Sequence, residues 1–77
     1  MPAVSLTVSQ LSATTSNASV REHNLKMDRP EAKGGNNEGM MGGEALLAGL
    51  GGCFMSNLLA AAKARGISLS NAKADVT

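Results

Sequence analysis

GGEALLAGLGGCFMSNLLAAAKARG, Gly42 to Gly66, is the longest apolar stretch of the chain, and its spacing is helical. Leu46, Leu50, Cys53 and Asn57 recur at intervals of four, three and four, with Leu47, Phe54 and Leu58 alongside, so they share one face. Glu44 in the first turn, and Lys63 and Arg65 in the last, complement the helix dipole, and Gly66 supplies a C-terminal cap. The pattern predicts one long central helix that begins near Gly42 and ends near Arg65. A second stripe, Ala45, Gly49, Gly52 and Ser56, consists of small residues. Each interior glycine costs a helix about 1 kcal/mol against alanine. Gly49, Gly51 and Gly52 therefore make sense if another backbone packs closely on this helix.

Upstream, Val4, Leu6 and Val8 alternate with Ser5, Thr7 and Ser9, the period of a half-buried strand. Ser12 to Ser19, SATTSNAS, reads as a polar turn leading to a second strand over Val20 to Asp28. In that strand Leu25 and Met27 take one face, and Lys26 and Asp28 the other. From Arg29 to Gly43 the chain reads RPEAKGGNNEGMMGG, a long Gly-rich connection with none of the Gly-Lys-Ser/Thr order of a phosphate loop. After Gly66, Ile67 and Leu69 alternate with Ser68 and Ser70, which predicts a further strand. The expectation is an α+β fold made by one domain over residues 1–77. An unpaired strand exposes its edge, so either another chain completes the sheet or the sequence is the front part of something longer.

Composition narrows the function. A net charge of +1 and a single aromatic, Phe54, give neither the basic patch nor the stacking platforms of a nucleic-acid binder. One Cys permits no disulfide within the chain and fits a reducing compartment. The N-terminus, MPAVSLTVSQ, lacks the charged segment and apolar run of a secretory signal, so the cytoplasm is the expected location. Met40 to Ala62 is long enough to span a bilayer. Glu44 and Asn57 interrupt it, however, and the flanking strand patterns call for a soluble sheet rather than a membrane partner.

Cys53 is the residue on which chemistry turns. A lone Cys among aliphatic residues is ordinarily a small packing group, whereas a thiolate beside positive charge is a nucleophile. The helix N-terminus does not reach Cys53, because its field fades within about the first turn. Activation would need Arg, Lys or His⁺ from elsewhere in the fold. Glu44, nine residues back, projects to the opposite side of the helix and reads as a helix-start residue. His23, the sole histidine, lies on a predicted strand, and one Cys with one His offers no metal-ligand spacing.

The run HNLKMDRPEAKGGNNEGMMGGEALLAGLGGCFMSNLLAAAKARGISL, His23 to Leu69, resembles the OsmC/Ohr family, the osmotically inducible protein C and organic hydroperoxide resistance proteins. The resemblance rests on Asp28-Arg29-Pro30, Gly34-Gly35, Glu44-x-Leu46-Leu47, Gly51-Gly52-Cys53 and Ala64-Arg65-Gly66-Ile67. It implies an intertwined homodimer with long central helices packed between two sheets. It further implies that Cys53 is a peroxidatic thiol acting on a small organic hydroperoxide, with no cofactor beyond a thiol reductant.

The sequence departs from the peroxidase pattern at three places. No second Cys is present to resolve a sulfenic acid, so an external thiol or dithiol would have to do so. The peroxidase branch has Glu ten residues before its Cys, where this chain has Gly43; Glu44 matches the other branch. The family's activating Arg lies in the turn after the first strand, and SATTSNAS has none, which leaves Arg21 and Arg29 as substitutes. The chain is also about half the family's usual length. The expectation is therefore an OsmC-like thiol-dependent hydroperoxide reductase, with a non-catalytic or truncated dimerisation or binding module as the alternative.

Overall fold

The structure, a computed structural model, describes residues 4–77; Met1–Ala3, part of the segment read for a signal sequence, lie outside the described residues. Three strands, β1 (Thr7–Gln10), β2 (Ser16–Val20) and β3 (His23–Met27), precede a short 3₁₀ turn at Glu31–Lys33 and one helix, α1 (Gly42–Ala64). A sheet and a segregated helix make the architecture α+β. The chain divides into two units, Met1–Ala45 and Leu46–Thr77.

In the first unit the strands form an antiparallel meander in the order β1-β2-β3. Its register sets Val8 opposite Ala18, and Ala18 opposite Leu25, so these three share one apolar row. On the other face the Asn17 side chain donates from Nδ2 to Asn24 Oδ1 at 3.0 Å. The first corner is a serine turn: Ser12 Oγ accepts the Thr15 amide at 3.1 Å and donates to Thr15 Oγ1 at 2.8 Å. The Leu11 amide closes it on the Thr15 carbonyl at 2.8 Å.

Four expectations about the strands and their turns need correction. The segment SATTSNAS is a turn only as far as Thr15, and Ser16 to Ser19 belong to β2. The expected strand over Val20 to Asp28 is in fact the end of β2, a two-residue turn at Arg21-Glu22, and β3. Arg21 takes φ 53° in that turn, a conformation usually given to Gly or Asn, so the sequence carries no turn signal there. The first strand is also exposed rather than half-buried, since Leu6 and Val8 lie open. Finally, the strand expected after Gly66 is not paired within the described residues. Ile67 is drawn instead into the helix cap, its amide donating to the Ala62 carbonyl at 2.8 Å.

α1 begins and ends on side-chain and backbone caps. The Met41 amide donates to Glu44 Oε1 at 2.8 Å, one half of a capping box. At the far end Gly66, with φ 70°, donates to the Lys63 carbonyl at 3.1 Å, and with the Ile67 bond this makes a Schellman motif. In the second unit Ala62 is buried beneath this reversal, beside Leu58, Ile67 and Leu69. Val76 lies against Gly51, where an added Cβ would meet its Cγ2 at 3.0 Å. Gly49 and Gly52, in contrast, face open space.

Substituting Gly66→Ala forces a side chain into the left-handed region at the cap. The expected loss is about 1 kcal/mol of stability, read as a lower urea midpoint with an unchanged slope.

Candidate functional site

Two features frame the site, the connection between β3 and α1 and the thiol on α1. The connection is organised by the carboxylate of Asp28, which is only 4% exposed. Its Oδ1 accepts the Arg29 amide at 2.7 Å, and its Oδ2 accepts the amides of Asn36 at 3.0 Å and Glu38 at 3.3 Å. The backbone adds two ties: the Asp28 amide donates to the Met40 carbonyl at 3.1 Å, and the Asn37 amide to the Arg29 carbonyl at 3.0 Å. The loop is drawn so close that an added Cβ at Gly35 would collide with the Arg29 carbonyl, and one at Gly39 with that of Lys26.

Burial by itself would raise the Asp28 pKa. The amides of Arg29, Glu38 and Asn36, helped by the Thr14 hydroxyl, outweigh it and hold the group below its ordinary value of 3.8. The alternating pattern places Asp28 beside Lys26 on one face of a strand, whereas the structure gives its carboxylate to the loop. The signal that marks it is local: a short acid directly before Arg-Pro, followed by Gly-Gly-Asn-Asn, has the chemistry of a side chain that captures nearby amides.

Cys53 lies midway along α1 and is exposed. Its helical neighbours are open too, with Leu46 76%, Leu50 64% and Phe54 60% exposed. The thiol thus stands on an uncovered apolar surface. Glu44, engaged at the Met41 amide, has a capping role at the helix start. Arg21 sits in the β2–β3 turn of the first unit, whereas Cys53 belongs to the second. His23 pairs with Glu22 at 3.4 Å, both side chains well exposed. Among the described residues neither Arg21 nor Arg29 forms an ion pair, and no three His, Cys, Asp or Glu side chains gather as metal ligands would. By length and composition α1 could cross a membrane, a property it shares with core helices of soluble proteins.

The family model of OsmC-like proteins matches residues 34–77. That span takes in the second half of the loop, all of α1 and Cys53, and it is more than half of the 77 residues. The chain belongs to the OsmC family. No curated protein and no solved structure gives a match.

The lowered pKa of Asp28 gives the loop an acid limit. A carboxyl depressed by its folded partners stabilises the loop at any pH above the ordinary 3.8, and that contribution disappears as the pH falls through the lower folded value. Hydrogen exchange at the Asn36 and Glu38 amides should therefore stay slow relative to free peptide down to about pH 4 and lose its protection below it. Asp28→Asn should show the same loss already at neutral pH.

Proposed function

We propose that the chain acts as a thiol-dependent hydroperoxide reductase with Cys53 as the peroxidatic thiol. The observation that carries this reading is an exposed, solitary thiol within the span that matches the family. In the proposed reaction the Cys53 thiolate attacks the outer oxygen of an organic hydroperoxide. The O–O bond breaks, the alkoxide takes up a proton and leaves as the alcohol, and the sulfur remains as a sulfenic acid. With one Cys in the chain, an external thiol condenses with the sulfenic acid and releases water. A second thiol then displaces Cys53 from the mixed disulfide. The cytoplasm is the compartment that supplies such reductants. Arg21 or Arg29 is the proposed source of activating charge, delivered by the fold or by a second copy of the chain.

Stopped-flow consumption of cumene hydroperoxide with dithiothreitol as reductant tests the proposal. The native chain should exceed Cys53→Ser by at least about tenfold. Equal rates in the two proteins would overturn the enzymatic reading.

A second reading, a dimerisation or binding module, is favoured by the open face of α1. Leu46, Leu50 and Phe54 present an apolar surface that soluble proteins seldom leave uncovered. The open space at Gly49 and Gly52 would admit a second backbone closely. On this reading the partner is a second copy. Sedimentation equilibrium should then give twice the chain mass of 7.8 kDa, and Leu50→Glu should shift it to the monomer by placing a charge in the buried face. A native chain that sediments as a monomer at micromolar concentration would defeat this reading.

A further inference from the structure

Within the first unit, Arg29 and Lys33 border a cleft of about 510 Å³ whose wall also includes Ser16, Met27, Asp28 and Met41. We propose that this cleft binds a small organic anion, a carboxylate carrying a short aliphatic chain. Three observations lead there, and none involves Cys53.

First, the two cations are held to one cleft by the backbone of the loop. The Lys33 amide donates to the Pro30 carbonyl at 2.9 Å, and the Gly35 amide to the same carbonyl at 3.2 Å. This short turn fixes Lys33 near Arg29, although like charges on one small surface repel. Second, Lys26 of this unit has a carboxylate neighbour, while Arg29 and Lys33, like Arg21 outside the cleft, do not. Lys26 lies 3.5 Å from Glu38, but among the described residues Arg29 and Lys33 pair with no acid. Asp28, the one carboxylate in the wall, is occupied on both oxygens by backbone amides. An incoming anion therefore finds two cationic groups whose donors are free, and the Arg29 guanidinium offers the planar fork that suits a carboxylate. Third, Met27 and Met41 supply unbranched, polarizable apolar walls that adapt to a short alkyl chain. A volume of this size falls in the range of small-molecule sites.

Isothermal titration at low ionic strength with sodium hexanoate, with hexanol and inorganic phosphate as separate arms, tests the site. Hexanoate should bind saturably with one site per chain, weaken as salt rises, and perturb the amides of Ser16, Arg29 and Met41 in a nitrogen–proton correlation spectrum. Arg29→Gln and Lys33→Gln should each weaken it by about fivefold or more. Lys26→Gln, which removes a cation outside the cleft, and Cys53→Ser should leave it within about twofold. Both cleft side chains are exposed, so these variants keep the fold, and an unchanged amide spectrum verifies it. Hexanol binding as tightly as hexanoate would overturn the role of the cations, and phosphate binding as tightly would overturn that of the apolar walls. Absence of saturable hexanoate binding, or equal affinity in Arg29→Gln and Lys26→Gln, would overturn the site altogether.

Discussion

A single carboxylate holds the connection between sheet and helix in shape. Residues 28–41 have little apolar side chain to pack, so their order comes from hydrogen bonds that converge on Asp28. An aspartate is suited to this position for reasons of reach and valence. Its two oxygens together accept several donors, its stem is short enough to sit against its own backbone, and its charge strengthens every bond it accepts. Asparagine would turn an amino group toward one of the donors. Glutamate would carry the oxygens too far. The glycines follow from the same constraint: once the chain wraps this tightly, the Arg29 and Lys26 carbonyls occupy the space where side chains at Gly35 and Gly39 would lie.

The clamp matters because apolar burial contributes so little within the chain. Among the described residues Ala62 is the only buried hydrophobic one. The sheet leaves Val8 and Leu25 open on either side of a half-buried Ala18, and α1 leaves its leucines and Phe54 open. Ladder bonds, caps and a carboxylate loop specify conformation, but each adds only about 1 kcal/mol net. The dominant stabilising term in most domains is removal of apolar surface from water, and here those surfaces are prepared without being used. The faces are therefore the parts of this chain with most to gain from a partner.

The sequence made some of these elements legible and concealed others for identifiable reasons. α1 could be read within a residue at each end because periodicity, Glu44 and Gly66 all act locally. The β2–β3 hairpin could not. Its turn uses Arg21 at positive φ, and β2 is the polar run Ser16-Asn17-Ala18-Ser19-Val20, so pairing with both neighbours imposes a strand that propensity does not favour. The segment after Gly66 showed the reverse error. Ile67 and Leu69 alternate as a strand would, yet a strand exists only through its partner, and the cap takes the Ile67 amide first. Cys53 and its helix could be placed from sequence, and so could the family, because the Gly-Gly-Cys run and the leucines before it are contiguous. The carboxylate clamp depends on amides eight and ten residues away, which no periodic pattern encodes.

The position of Cys53 shows how a site can be divided between a scaffold and its surroundings. A helix presents its mid-section side chains rigidly, which suits a nucleophile that must be held still, but it offers no backbone donors there because every amide is used within the helix. The residues that flank the thiol on its own face are Leu50, Phe54 and Asn57, and none carries charge. Whatever stabilises a thiolate at that point must come from a different element, and the same surface that would admit a second copy is the surface on which the sulfur stands. Covering the apolar face and supplying charge to the thiol are therefore one structural requirement. If Cys53 acts as proposed, its reactivity would belong to the surface that a second copy completes rather than to the helix that carries it.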